Sequence, residues 1–222
     1  MGKDKLRRFA AIKSFENVIE AKPEVDFSLK GSWRKNFFKN NNPIVLELGC
    51  GKGEYSLGLG KHYPNKNFIG LDLKGNRIYI GAKEALALNM KNVAFLRTRI
   101  DFITDYFAES EIDEIWLTFS DPQRKKPRKR LTSPLFIERY KQILKPGGLI
   151  HLKTDSELLF EYTLDEIENK KYTCLENTWD LYGELSAKMD EETKAIFHIK
   201  THYEKLFTAK GFTIKYCKFQ IN

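Results

Sequence analysis

From Pro43 onward, short apolar runs alternate with stretches of helical spacing. IVLEL at 44–48 predicts a strand, a helical stretch follows to His62, and NFIGLDL at 67–73 predicts a second strand. The Ala- and Leu-rich segment Gly75–Leu88 predicts a helix, and VAFLR at 93–97 the next strand. After an amphipathic piece from Phe102 to Phe107, EIWLTF at 114–119 has the β-branched and aromatic content of a buried central strand. Ser133–Leu144 carries apolar residues at 135, 136, 137, 140, 143 and 144, one face of a helix, and KPGG supplies its stop and turn. GLIHLKT at 148–154 is a strand and Glu157–Asn169 a helix. YTCLENT at 172–178 is a strand, roughly Glu191–Lys210 a helix, and FTIKYCKFQI at 212–221 the last strand. Alternation at this pace specifies a doubly wound α/β sheet. The long helical excursion between the last two strands leaves their order open.

The first forty-two residues lack this rhythm. They mix basic and aromatic side chains and end in Asn40, Asn41, Asn42 and Pro43, a cluster that breaks any preceding element. The expected organisation is an N-terminal extension, 1–42, followed by one domain, 43–222. A chain of 222 residues leaves little room for a second complete core.

Composition narrows the partners. Lys and Arg number 38 against 30 Asp and Glu, a net charge of +8, which favours a polyanion. The three cysteines, Cys50, Cys174 and Cys217, are far apart and suggest neither a disulfide framework nor a zinc site. The four histidines show no metal-ligand spacing, so no metal is expected. With no signal-peptide pattern and no run of apolar residues long enough to span a bilayer, the expected compartment is the cytoplasm.

In an open α/β sheet the ligand crevice lies beyond the carboxyl ends of the strands. The loop after the first of these strands reads ELGCGKGEY, Glu47 to Tyr55. Gly49, Gly51 and Gly53 remove side chains where backbone must approach a ligand. A dinucleotide turn would read GxGxxG, and Glu47 would repel a pyrophosphate; the acid suits a cationic, zwitterionic or hydroxyl-bearing ligand. Asp72, ending the next strand, is placed to take the hydroxyls of a ribose. An adenosine-containing ligand without phosphates meets these demands, and S-adenosylmethionine is one. ELGCGKGEY, GLDL and KPGG resemble the motifs of class I methyltransferases over residues 44–155. That resemblance implies a seven-stranded, mostly parallel sheet with its last strand inserted antiparallel.

The loop after the fourth of these strands reads FSDPQRKKPRKR, which puts Asp121 at the strand's end and six basic residues among the seven from Arg124 to Arg130. So dense a basic block on the rim of a crevice is a landing site for phosphates. The N-terminal segment adds Arg7, Arg8, Lys13, Arg34, Lys35 and Lys39, interleaved with Phe9, Phe15, Trp33, Phe37 and Phe38. Packing is the expected role of most of those aromatics.

FSDP, the basic loop, LTSPLF, HLKTD and THYE at 201–204 occur in an order that resembles the bacterial single-chain tRNA (guanine-N7)-methyltransferases over most of the chain after Pro43. The resemblance implies methyl transfer from S-adenosylmethionine to N7 of a guanine in the tRNA variable loop, guanine-46; whether the enzyme is a monomer or homodimer is open in the sequence. It assigns Glu47, Asp72 and Asp121 to the cofactor pocket, where the turn already puts Gly49 and Gly51, and Lys125, Asp155, Thr201, His202, Tyr203 and Glu204 to the substrate side. Arg99 and Ile100 occupy the position after the third strand where relatives carry an acid or amide near the adenine, with Asp101 next. Relatives also carry Trp and Pro after the DP pair, where this chain has Gln123 and Arg124, so an aromatic that would flank the base is missing there.

Guanine N7 has an in-plane lone pair and no proton, so transfer needs alignment more than a general base. A carboxylate beside the base stabilises the charge that develops on it. Asp121 is the first candidate and Asp155 the second; capping of the turn before Pro122 is the structural alternative for Asp121. The competing functions are methylation of another RNA site and a non-catalytic RNA-binding module that keeps the fold. A small-molecule methyltransferase would leave the basic loop unexplained.

Overall fold

The computed structural model describes residues 3–21 and 27–221. Among them, eight strands form one sheet: β1 (Val18–Glu20), β2 (Ile44–Leu48), β3 (Asn67–Asp72), β4 (Val93–Arg97), β5 (Ile112–Thr118), β6 (Leu144–Thr154), β7 (Thr173–Thr178) and β8 (Lys215–Gln220). Their order is β1-β4-β3-β2-β5-β6-β8-β7. Pairing is parallel from β1 through β6, whereas β8 runs antiparallel between β6 and β7. The helices are α1 (Lys3–Ala11), α2 (Glu54–His62), α3 (Gly75–Ala87), α4 (Ile103–Tyr106), α5 (Pro134–Ile143), α6 (Glu157–Asn169), α7 (Glu191–Phe197) and α8 (His202–Thr208).

The two-residue side-chain period of a strand explains how the sheet is covered on both faces. In β2, Ile44, Leu46 and Leu48 pack with α4, α5 and α6. Val45 points the other way, toward α2, α3 and α7. β5 divides alike, with Ile115 and Leu117 on one face and Trp116 on the other. Full burial of each large aliphatic contributes roughly 1.5–3 kcal/mol. The same alternation fixes the site, because Glu47 of β2 and Thr118 of β5 share the α2 face and so does Lys153 of β6.

The strand over 93–97 and the helix over 157–169 coincide with the observed elements. KPGG behaves differently from a simple turn: α5 ends at Ile143 and β6 begins at once, with KPGG inside it. Gly147 takes a left-handed φ of 72° there. The register against β5 shifts opposite this stretch, between Ile112 and Glu114. The helix expected over Glu191–Lys210 is two helices, because Thr201 starts a new one: its Oγ1 accepts from Glu204 N at 3.1 Å.

The segment before Pro43 adds a strand and part of the core; residues 1, 2 and 22–26 of it lie outside the described residues. β1 pairs with the edge of β4. Trp33 is fully buried, stacked on Phe107 at 5.6 Å, and its Nε1 donates to Tyr106 O at 3.0 Å. Phe15 stacks on Tyr79 at 5.6 Å and Phe9 lies under Arg97 at 4.7 Å. These aromatics pack the segment onto the sheet, as expected for most of them.

Candidate active site

Beyond the carboxyl ends of β2, β5 and β6 opens a cleft of about 1170 Å³. Its floor begins with the glycine turn. Gly49 and Gly51 have φ of 79° and 58°, and a Cβ on either would meet no protein atom within 4 Å, so their backbone faces open space. Gly53 serves packing instead, since a Cβ there would lie 2.5 Å from the Phe95 ring. A ligand is thus free to approach the backbone at Gly49 and Gly51.

Glu47 lies beneath this turn, buried. Its Oε2 accepts from Ser56 N at 2.9 Å and Ser56 Oγ at 2.5 Å, and its Oε1 accepts from Thr118 Oγ1 at 2.7 Å. Burial raises its pKa to about 7, against the opposing pull of those hydrogen bonds. The carboxylate therefore ties β2 to the first turn of α2 and to the end of β5. Asp72 holds the turn from behind: its Oδ2 accepts from Gly51 N at 2.9 Å and its Oδ1 from Lys74 N at 2.7 Å. Ile100 lines the cleft. The Arg99 guanidinium turns away to Asp101, at 3.2 Å, and covers Phe102.

Asp121 stands exposed on the cleft wall, where its Oδ1 accepts from Gln123 N at 2.9 Å. The turn-capping role is therefore present, and the second oxygen is left to the cleft. Two non-glycine residues flanking it are left-handed, Phe119 at φ 51° and Gln123 at φ 47°. Each costs on the order of 1–2 kcal/mol, and backbone strain of this kind gathers at functional sites. Of the basic loop, Arg124 and Lys129 line the cleft, and Lys125 is exposed on the same loop. Arg130 is turned inward: its Nε donates to Pro122 O at 2.9 Å and its guanidinium covers Tyr162 at 4.4 Å. It braces the loop.

Asp155, just past β6, also lines the cleft, and partial burial raises its pKa from the ordinary aspartate value. Thr201, His202 and Tyr203 form the opposite side. They are held over the glycine turn by two links: Glu54 Oε1 accepts from His202 N at 3.2 Å, and Arg77 of α3 donates to Tyr203 Oη at 2.7 Å.

Glu204 does not face the cleft. It is fully buried against Lys153, 3.1 Å from its Nζ, and accepts from Tyr182 Oη. Lys153 also donates to Phe197 O at 2.7 Å and Tyr182 Oη at 3.1 Å. Burial pushes the Lys153 pKa down to about 8, with Glu204 opposing the shift. This cluster anchors the junction of α7 and α8 to the sheet.

The cleft thus brings together Gly49, Gly51, Ile100, Asp121, Asp155, Thr201, His202 and Tyr203. Glu47, Asp72, Arg99, Lys125 and Glu204 stand behind or beside it. Sequence reasoning missed Arg77, Phe119, Phe207 and Phe212, which line it too. No helix among the described residues is long and apolar enough to cross a membrane.

Comparison with known proteins first gives the class. A family model described as "Putative methyltransferase" matches residues 41–217, so the chain is a methyltransferase. The 16S rRNA methyltransferase KamB superposes with a TM-score of 0.63 over 85% of this chain and 92% of its own, at 13% identity, a likeness of fold. The family is narrower. The tRNA (guanine-N(7)-)-methyltransferase of Bacteroides fragilis (strain YCH46) is 53% identical over 99% of this chain and 86% of its own length. The enzyme of the same name from Christiangramia forsetii is 47% identical over 99% of this chain and 98% of its own. The chain belongs to this family of bacterial tRNA (guanine-N(7)-)-methyltransferases.

Proposed function

We propose that the protein transfers a methyl group from S-adenosylmethionine to N7 of a guanine in the variable loop of tRNA, in the cytoplasm. The observation that carries this reading is one continuous cleft that joins the bare glycine backbone to Asp121 and Asp155 and is bordered by Arg124 and Lys129. S-adenosylmethionine, when bound, supplies a methyl carbon made electrophilic by its sulfonium sulfur. The backbone of Gly49 and Gly51 holds it, Asp72 stiffens that turn, and Glu47 places a titratable carboxylate under a cationic ligand.

Arg124 and Lys129, with Lys125 beside them, hold tRNA phosphates at the rim. With no proton to remove from N7, the chain aligns the base and excludes water. Asp121, through its free oxygen, stabilises positive charge as it develops on the purine. Asp155 is the second carboxylate on that wall. Residues 1–42 serve as an N-terminal extension to the domain of residues 43–222.

Incubation with labelled S-adenosylmethionine and unmodified tRNA, followed by nucleoside analysis, tests the reading. N7-methylguanosine confined to the variable loop is the expected product. Labelled 1-methylguanosine or methyladenosine overturns the regiochemistry, and absence of transfer to any RNA overturns the function.

A further inference from the structure

The residue after Asp121–Pro122 is Gln123, and none of the residues that follow the acid in its loop offers a ring against which a planar base can lie. The opposite wall does. Phe207 of α8, itself partly exposed, lies near-parallel to Phe119, with centroids 6.5 Å apart at 22°, and to Tyr203, at 6.4 Å and 21°. Phe212 meets Phe207 edge-on at 6.1 Å. All four rings line the cleft.

Packing alone does not account for the array. Tyr203 and Phe212 remain 39% and 50% exposed inside the cleft, and clustered exposed apolar surface marks a contact site. Tyr203 is already engaged, with the Arg77 guanidinium 5.5 Å over its ring and bonded to its hydroxyl. Phe119 holds its place two residues before Asp121 through a left-handed backbone, at a cost a plain strand end would avoid. Phe207 is the ring the other three share.

We propose that Phe207, backed by Phe119, is the platform on which the target purine stacks. The proposal rests on the guanine-methylating reading above. Aromatic side chains hold unstacked bases in this way, at about 1–3 kcal/mol per base. Phe207 is thus a positioning residue that sets the plane of the base beside Asp121.

The test compares Phe207→Leu, which keeps apolar bulk in α8, with Phe207→Trp, which keeps a ring. Two readouts are needed: steady-state methylation of tRNA, and fluorescence of tRNA carrying 2-aminopurine at the target position, which stacking on an aromatic ring quenches. Phe207→Leu is expected to lower kcat/KM about 10- to 100-fold and to lose most of the quenching, with unchanged affinity for S-adenosylhomocysteine by calorimetry. Phe207→Trp is expected to restore both. Wild-type quenching and rate in Phe207→Leu overturn the platform, as does failure of Phe207→Trp to restore either. Absence of N7-methylguanosine from the wild-type reaction instead overturns the function on which the platform depends.

Discussion

Glu47 allows a quantitative test of how the cofactor end is built. Its carboxyl is buried with three hydrogen-bond donors, and its pKa is raised from 4.5 to about 7. Between those values the folded state holds a proton that the unfolded chain has released, so stability falls as pH rises through this window. The 2.5-unit difference corresponds to about 3 kcal/mol in full, of which about 2.5 kcal/mol accrues between pH 5 and pH 8. Glu47→Gln removes the titration and retains an acceptor for Ser56 and a donor for Thr118. Urea unfolding of both proteins from pH 5 to pH 8 isolates the effect, because every other group cancels in the difference. The variant is expected to gain on the wild type by about 2–3 kcal/mol across that range. A difference independent of pH, or one that grows toward acid, would show that Glu47 is not a buried acid held near neutrality.

The other predictions concern the walls of the cleft. Asp121→Ala is expected to lower kcat for tRNA methylation on the order of 100-fold while tRNA affinity changes little; Asp121→Asn, which keeps the bond from Gln123 N, separates charge from turn geometry. Unchanged turnover with intact binding removes Asp121 from the reaction. Replacing Arg124 or Lys125 by Ala is expected to reduce the slope of log affinity against log salt by about 0.7–0.9 each, and a wild-type slope denies the phosphate contact. Lys153→Met leaves Glu204 buried without its cation and is expected to cost about 3–5 kcal/mol, read by denaturant unfolding, with much of the loss recovered when Glu204→Gln is added. A single variant as stable as the wild type would refute the buried ion pair.

What the linear sequence revealed depended on the range over which each signal acts. Period and local punctuation are short-range, so 93–97 and 157–169 were legible to the residue. The break before α8 was written there as well: Thr201 with Glu204 three residues on is a helix-start pattern. Reading THYE only as a substrate motif hid it. β1, by contrast, is three residues long, too short to show a period, and exists because the edge of β4 accepts it. Long-range pairings left no local trace. The side chains of Lys153 and Glu204 meet across the sheet face, so a motif residue expected at the substrate is an internal anchor. Arg130 likewise reads as one more phosphate binder until its guanidinium is found over Tyr162.

The place of β8 has a consequence for how the molecule is made. As the chain leaves a ribosome, β6 presents an open edge and β7 has nothing to pair with, because the strand that joins them follows both in the sequence. The intervening residues include α7 and α8, so the Lys153 anchor and the roof of the cleft are withheld as well. Such delayed, non-local pairing slows folding and prolongs exposure of strand edges. Insertion of β8 between β6 and β7 thus closes the open edge and completes the sheet in one late step.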